Sequence, residues 1–410
     1  MTKKKKIAIF HCGFVYSGGG ERIVLEEAKG LIKRGHSVQV FAPTLDREKC
    51  FPELVKELGV RAFFPSVIDK LPLRNAMRMI AASILAPVIA INFRDVDVFI
   101  GANQPGVWIA FCMSKILKKP YIIYLNQPNR VIYPRDIDIK HGWYTTHKDY
   151  HFLFVVLRLL KLPIAFLDRL SIRSAGSILV NGGYIGGVIE NIYAKKTVPA
   201  PAGANYSPWS AIVSQPKLLY QGKLKIAGRE ITKPYCLITN RHDPQKRFDY
   251  VIEAFGKVLK TFPKASLIIP GPFTDHTAQL VKLTKKLKIE SKVFFLGQIP
   301  EFELQKLYQY CTVYCYPSPE EDFGLGPLEA GGWGVPTVAW NHAGPTVTVK
   351  DEITGFLAKP YEVNDYAKKM LSLFKNPKLR LKMGRAAWER TKNNFSWDGH
   401  LDVIEECLKI

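Results

Sequence analysis

A β/α alternation that runs through the first half of the chain, breaks, and begins again constrains its fold more than any other feature. Residues 7–11 form an apolar strand and a glycine-rich turn follows. Residues 21–34 read as a helix with Val24, Ala28, Leu31 and Ile32 on one face and Gly35 as its stop. Further strands are predicted over 38–42, 96–100, 121–125 and 178–181, with a helix around 107–117. Strands alternating with helices predict a parallel sheet, because each parallel crossover needs a helix-length connection back to the starting edge. Between Thr197 and Pro234 the pattern dissolves into Pro, Ala, Gly and Ser, which marks a domain boundary. It then resumes as strand 235–240, helix 248–260, strand 266–270, helix 277–287, strand 293–296, helix 301–310 and strand 312–316. The 410 residues exceed one compact core and suit two. The expected fold is α/β, two doubly wound domains with a cleft between them, and ligands of such sheets bind at the carboxyl ends of the strands.

An apolar fraction of 47% and a charged fraction of 23% belong to an ordinary folded protein. The net charge of +22 is unevenly spread: residues 1–210 hold 29 Lys and Arg against 15 Asp and Glu, and the remainder hold 29 against 21. Such a field suits nucleic acid, anionic lipid or a phosphorylated substrate alike. No finger, helix-turn-helix or interleaving of aromatic with basic residues favours nucleic acid. The cysteines lack zinc spacing and read as buried thiols in a reducing compartment. Lys3 to Lys6 lead into an apolar run that His11, Cys12 and Gly13 cut short, so the start reads better as a first strand than as a signal peptide. The apolar run 79–91 is shorter than the roughly 20 residues that span a bilayer. With Pro87 inside it and Lys70, Arg74 and Arg78 ahead of it, the run fits an interfacial helix on anionic membrane as well as it fits a buried one. Residues 152–170, where Arg158, Lys161 and Arg169 interrupt a Leu/Phe/Val-rich helix, form a second such surface. A cytoplasmic protein held peripherally at the membrane face is expected.

Three strand-end loops carry chemistry. Pro319 to Ala330 follows a strand, and its Gly324, Leu325, Gly326 and Pro327 open a helix whose free backbone N–H groups and dipole suit a diphosphate. Glu321 and Glu329 flank that anion site, where a carboxylate is tolerated if it accepts hydrogen bonds from sugar hydroxyls. On charge placement alone, dipole complementation and solvation explain both. Arg241 and Lys246 share the loop after the strand 235–240; Arg forks across phosphate oxygens and Lys adds a point charge. Gly18, Gly19 and Gly20 open the first helix and allow phosphate close to the backbone, without the Lys of a Walker loop or the G-x-G-x-x-G spacing.

In this order and at these separations the loops resemble the family-4 retaining glycosyltransferases of the GT-B fold. Glu321 and Glu329 match the family's Glu-x7-Glu signature, Arg241 and Lys246 its Arg and Lys five positions later, and Gly18-Gly19-Gly20-Glu21-Arg22 its Gly-Gly-x-Glu-Arg opening. The similarity continues through Phe295-Leu296-Gly297-Gln298, Gly334 to Val338, and Gly355-Phe356-Leu357 to Phe395-Ser396-Trp397-Asp398. The resemblance implies an acceptor-binding domain over 1–205, to which about 393–410 return, and a donor-binding domain over 206–392. It implies that Glu321 contacts the donor hexose, Glu329 the ribose, and Arg241 and Lys246 the diphosphate. Gly18, Gly19, Gly20, Gln298, Phe323, Gly324 and Leu325 are then further donor-site residues. In the segment Tyr124 to Arg130, Asn126 stands where the family often has a His that hydrogen-bonds the transferred sugar. Its amide can make that bond, but no acid–base role is open to it. His11 is a second polar candidate, with a core role as the plainer reading.

The implied reaction is hexose transfer with retention, by same-face attack on an oxocarbenium-like sugar. None of the three loops carries an Asp-x-Asp metal motif, so Arg241, Lys246 and the helix terminus are expected to stabilise the leaving group without metal or cofactor. The Glu-Asp-Phe-Gly-Leu-Gly-Pro-Leu-Glu form looks most similar to mannosyltransferases of lipid-linked or surface glycan assembly. GDP-mannose is accordingly the first expected donor and a UDP-sugar the second. The expected acceptor is a polyprenyl-linked or other glycan at an anionic membrane, with no nucleic acid partner. A sugar-nucleotide epimerase shares the architecture but needs first-domain acid–base groups that cannot be placed.

Overall fold

A computed structural model describes residues 4–64, 74–141, 159–214 and 222–409. Lys70, residues 152–158 of the second apolar segment, and residues 215–221 of the weak stretch lie outside the described residues. The chain divides into two compact units, Met1–Gly203 with Trp397–Ile410, and Ala204–Ser396.

The first unit holds seven strands: β1 (Lys6–His11), β2 (Ser37–Ala42), β3 (Arg61–Ala62), β4 (Val98–Ala102), β5 (Tyr121–Leu125), β6 (Ile178–Val180) and β7 (Val198–Pro199). All are parallel, in the order β3-β2-β1-β4-β5-β6-β7, so the sheet winds one way to β3 and the other way to β7. Its switch point lies between β1 and β4. Helices α1 (Gly19–Lys33), α2 (Arg74–Ile89), α3 (Gly106–Leu117), α4 (Lys161–Arg173) and α5 (Gly183–Tyr193) connect the strands. β4 begins two residues after the predicted strand 96–100. A turn claims the Val96 N–H for the Phe93 carbonyl, and Ile7 pairs with Val98.

Pro87 lies inside α2 without breaking it. Proline cannot donate to the carbonyl four residues back; that carbonyl, on Ser83, accepts instead from the Trp108 indole at 3.0 Å. Ala82, Ala86 and Ala90 are buried beneath α2, while Ile84 and Val88 are each 70% exposed on its outer face, with Ile80 and Ile91 along the same stripe. On α4, Leu162 and Phe166 are likewise exposed, at 82% and 66%. Both helices pack against α3. Among the described residues no helix is long and apolar enough to cross a membrane.

The C-terminal helix Trp397–Cys407 packs on α1. Close approach is why Gly30 is glycine: a Cβ there would lie 2.3 Å from Leu401. Beneath this contact His400 Nε2 sits 3.0 Å from Glu27 Oε1, both buried, and His400 Nδ1 lies 3.0 Å from the Ala200 carbonyl.

The second unit opens with an antiparallel hairpin, β8 (Lys223–Ile226) and β9 (Arg229–Thr232), inside the stretch whose pattern looked weak. The signal was present: Leu224, Ile226 and Ile231 alternate around Ala227-Gly228, whose positive φ values of 47° and 73° make the two-residue turn that matches strand twist. A six-stranded parallel sheet follows: β10 (Tyr235–Leu237), β11 (Ser266–Pro270), β12 (Val293–Gly297), β13 (Val313–Tyr316), β14 (Thr337–Trp340) and β15 (Gly355–Ala358), in the order β12-β11-β10-β13-β14-β15. Its helices are α6 (Phe248–Leu259), α7 (Thr277–Lys286), α8 (Glu301–Gln309), α9 (Leu325–Gly332), α10 (Val363–Lys375) and α11 (Pro377–Asn394). Five cysteines are buried and Cys12 and Cys407 are half-buried; all are free thiols.

Candidate functional site

In the second unit the expected residues gather at the carboxyl ends of β10 and β13, the two strands flanking its switch point. After β10, Arg241 forms an ion pair with Asp243 at 3.3 Å, and Pro244–Lys246 make a short 3-10 turn. Arg247 then takes a left-handed φ of 49° and α6 begins. The turn delivers Lys246 to the other loop, where its Nζ meets Glu321 Oε2 at 2.8 Å with both side chains largely buried. The Glu321 backbone carbonyl accepts from the Gly344 N–H at 2.7 Å, which anchors the loop after β13.

Gly324 precedes α9 with a φ of 98°, a left-handed conformation that favours glycine. Leu325 and Gly326 begin the helix, so the chain turns sharply from Glu321 into free N–H groups. A Cβ on Gly326 would lie 2.2 Å from the Tyr314 hydroxyl, so strand and helix start require a bare backbone here. Phe323 is buried and packs against Phe395. Glu329 lies one turn inside α9, and its Oε2 accepts from the Tyr308 hydroxyl at 2.8 Å. Tyr308 and Tyr314 both share hydrogen bonds with Thr239 Oγ1, at 3.1 and 2.7 Å. Burial first, then the Glu329 carboxylate, hold the Tyr308 phenol well above its ordinary range, so it remains a donor. Tyr316 is held up in the same way, by burial and then by Glu321.

This tyrosine and threonine layer escaped sequence reasoning, because Tyr308, Tyr314 and Tyr316 occupy positions where apolar periodicity predicts core. Gln298 is exposed after the edge strand β12, two strands from β10. His242, beside Arg241, is fully buried among Phe248, Phe273 and Phe295, and burial pushes its imidazole down to about 4. It is a neutral packing residue at working pH.

In the first unit the corresponding ends of β1, β4 and β5 carry Gly18 to Gly20, Asn103 and Asn126. Gly18 is extended and caps α1, where Arg22 N–H donates to its carbonyl. Glu21, in the first turn, is buried and complements the helix dipole. Gly20 faces two amides: a Cβ on it would stand 3.5 Å from Asn126 Nδ2 and 3.9 Å from Asn103 Nδ2. The Asn126 backbone N–H donates to Asn103 Oδ1 at 3.0 Å, and Asn126 Oδ1 accepts from Asn181 Nδ2 at 2.8 Å. His11 is 1% exposed, with Nδ1 3.2 Å from the Ala102 carbonyl and Nε2 4.0 Å from Glu21. Burial opposes its charge, while Cys12 and Glu21 beside it raise its pKa to about 10; it belongs to the packed interior. Among the described residues no three His, Cys, Asp or Glu side chains gather as a metal site.

Two family descriptions match the chain, one in each unit: "Glycosyltransferase Family 4" over residues 17–188 and "Glycosyl transferases group 1" over residues 223–390. The human alpha-1,3/1,6-mannosyltransferase ALG2 is 24% identical over 405 residues, covering 92% of this chain and 90% of its own. ALG2 of Dictyostelium discoideum is 26% identical over 452 residues, covering 99% and 98%. In fold, the chain is similar to Anabaena Alr3699/HepE, solved in complex with UDP, with a TM-score of 0.72 at 18% identity over 98% of this chain and 99% of that one. Two Rossmann-like parallel sheets on one chain, with these neighbours, are the GT-B fold.

Proposed function

Because the chain belongs to the family-4 glycosyltransferases, we propose that it transfers mannose from GDP-mannose, with retention, onto a lipid-linked glycan. The observation that carries the transferase chemistry is the Lys246–Glu321 pair held at the entrance to α9. A nucleotide-sugar diphosphate needs cations and N–H donors where charge develops, and a hexose needs a carboxylate to accept from its hydroxyls. Lys246, Arg241 and the first N–H groups of α9 supply the former, Glu321 the latter, and Glu329, oriented by Tyr308, accepts from the ribose. Asn126 donates to the transferred sugar. The anomeric C–O bond to the diphosphate breaks as the acceptor hydroxyl attacks from the same face, and the hydroxyl proton passes to the departing phosphate oxygen. Charge on the leaving group is balanced by protein groups, without metal or cofactor. Mannose is favoured by near full-length similarity to alpha-1,3/1,6-mannosyltransferases.

Thermal-shift measurements across GDP-, UDP- and ADP-sugars test the donor, since a ligand at a hundred times its Kd stabilises by about 2.7 kcal/mol. GDP-mannose is expected to raise Tm most and to label a polyprenyl-linked glycan. Stabilisation and transfer by a UDP-hexose alone would overturn the donor assignment.

The exposed apolar stripes of α2 and α4, in the more basic half of the chain, support peripheral attachment at an anionic bilayer where such an acceptor resides. Flotation with phosphatidylserine vesicles is expected to carry the protein at low salt, and Ile84→Glu with Val88→Glu to abolish it. Equal flotation of that variant refutes the assignment to α2.

A further inference from the structure

The geometry points to Asn181 as a positioning residue that decides which atom Asn126 presents, an inference resting on the reading of Asn126 as a contact to the transferred sugar. Asn181 is 3% exposed, at the end of β6. Its Oδ1 accepts from the Ala202 backbone N–H at 3.0 Å and from the Tyr124 hydroxyl at 2.7 Å. A backbone N–H can only donate, so this atom of Asn181 must be the oxygen, and the amide nitrogen must face the other way. That nitrogen donates to Asn126 at 2.8 Å, which in turn fixes the accepting atom of Asn126 as its oxygen. The NH2 group of Asn126 is therefore turned toward the first turn of α1. Among the described residues its Nδ2 is shielded from solvent and has no hydrogen-bond partner.

A shielded amide donor without an acceptor is costly unless something brings one. On the proposed role of Asn126, that acceptor is a hydroxyl oxygen of the transferred sugar. Asn103 obeys the same logic. Its Oδ1 is committed to the Asn126 backbone N–H, so its Nδ2 faces the same space over Gly20. The absent side chain of Gly20 leaves that space to the ligand: a methyl there would be in ordinary contact with both amides.

The substitution Asn181→Asp tests this. Asp keeps oxygen acceptors for Ala202 and Tyr124 but loses the donor to Asn126, which must then turn its NH2 toward Asp and present its oxygen to the sugar. With whichever nucleotide sugar the wild type turns over, kcat is expected to fall about tenfold, because the sugar hydroxyl must then donate to the amide oxygen and not accept from the NH2 group, while donor KM, set by Arg241 and Lys246, moves less than threefold. In an Asn126→Ala background the same substitution should change kcat less than threefold, because no amide remains to be turned. An equal loss in both backgrounds overturns the inference, since Asn181 would then act independently of Asn126. Gly20→Ala supplies a second reading that does not depend on a buried carboxylate: Tm held or raised, because alanine is the better helix residue, and kcat at least tenfold down. Full activity of Gly20→Ala overturns the inference too. Failure of the wild type to turn over any nucleotide sugar overturns the transferase reading itself, and this inference with it.

Discussion

Glu321→Gln keeps the shape of the side chain and removes its charge, which separates what that carboxylate does for the fold from what it does for the donor. At 2.8 Å from Lys246 Nζ, with side chains 14% and 20% exposed, the pair has a gross attraction of about 6 kcal/mol at an effective dielectric near 20. Desolvating two ions offsets most of that, so the loss on breaking the pair is smaller. Removing one partner of a fully buried pair costs about 3–5 kcal/mol by stranding the other charge. Residual exposure lets Lys246 regain some water, and about 1–3 kcal/mol is expected for Glu321→Gln by urea unfolding. Adding Lys246→Met removes the stranded cation and should return stability to within about 1 kcal/mol of the wild type, with an apolar stem in its place. Activity must move the other way. Glu321→Gln should lower kcat/KM about 10²- to 10³-fold, as loss of a preorganised transition-state contact does, and the double variant should fall further because the diphosphate loses its cation. A double variant that recovers activity along with stability, or a Glu321→Gln enzyme within threefold of wild type, refutes the assignment of the pair to the donor site.

Acid should destabilise the second unit through His242. Its folded pKa, about 4, lies below the unfolded 6.5, so its contribution is complete above pH 6.5 and is lost as pH falls toward 4; the full shift corresponds to about 3 kcal/mol. Urea midpoints for His242→Gln should lose that part of the slope between pH 6.5 and 4, and an unchanged slope would exclude His242 as its source. Tyr308→Phe should raise donor KM roughly three- to tenfold with kcat nearly constant, by releasing Glu329 from a 2.8 Å hydrogen bond, whereas Glu329→Ala should raise it further. Equal KM values for wild type and Tyr308→Phe would show that Glu329 needs no such support. Leu401→Glu should unfold the C-terminal helix from α1, because Gly30 leaves Leu401 a site with no room for a charge; circular dichroism melts should show a loss of about 3 kcal/mol or more.

The sequence by itself determined the layers and the loops. Short continuous apolar runs separated by helix-length segments admit little but a parallel sheet. Glycines at Gly18, Gly324 and Gly326 sit where the structure has strand-to-helix turns, because only a bare backbone tolerates a left-handed φ or neighbouring side-chain atoms at 2–3 Å. Loop chemistry was legible because Arg241, Lys246, Glu321 and Glu329 are charged residues beside strand ends, where apolar periodicity cannot explain them. Two things only tertiary structure decided. One is partnership: Lys246 and Glu321 are 75 residues apart, and which cation a carboxylate meets depends on which strands flank the switch point, not on spacing along the chain. The other is the direction of each hydrogen bond. Tyr308, Tyr314 and Asn181 read as core residues because most of their atoms are core. Where a single hydroxyl or amide atom points is set by the one donor or acceptor it meets after folding, and for Asn126 that orientation is fixed by Ala202 through Asn181.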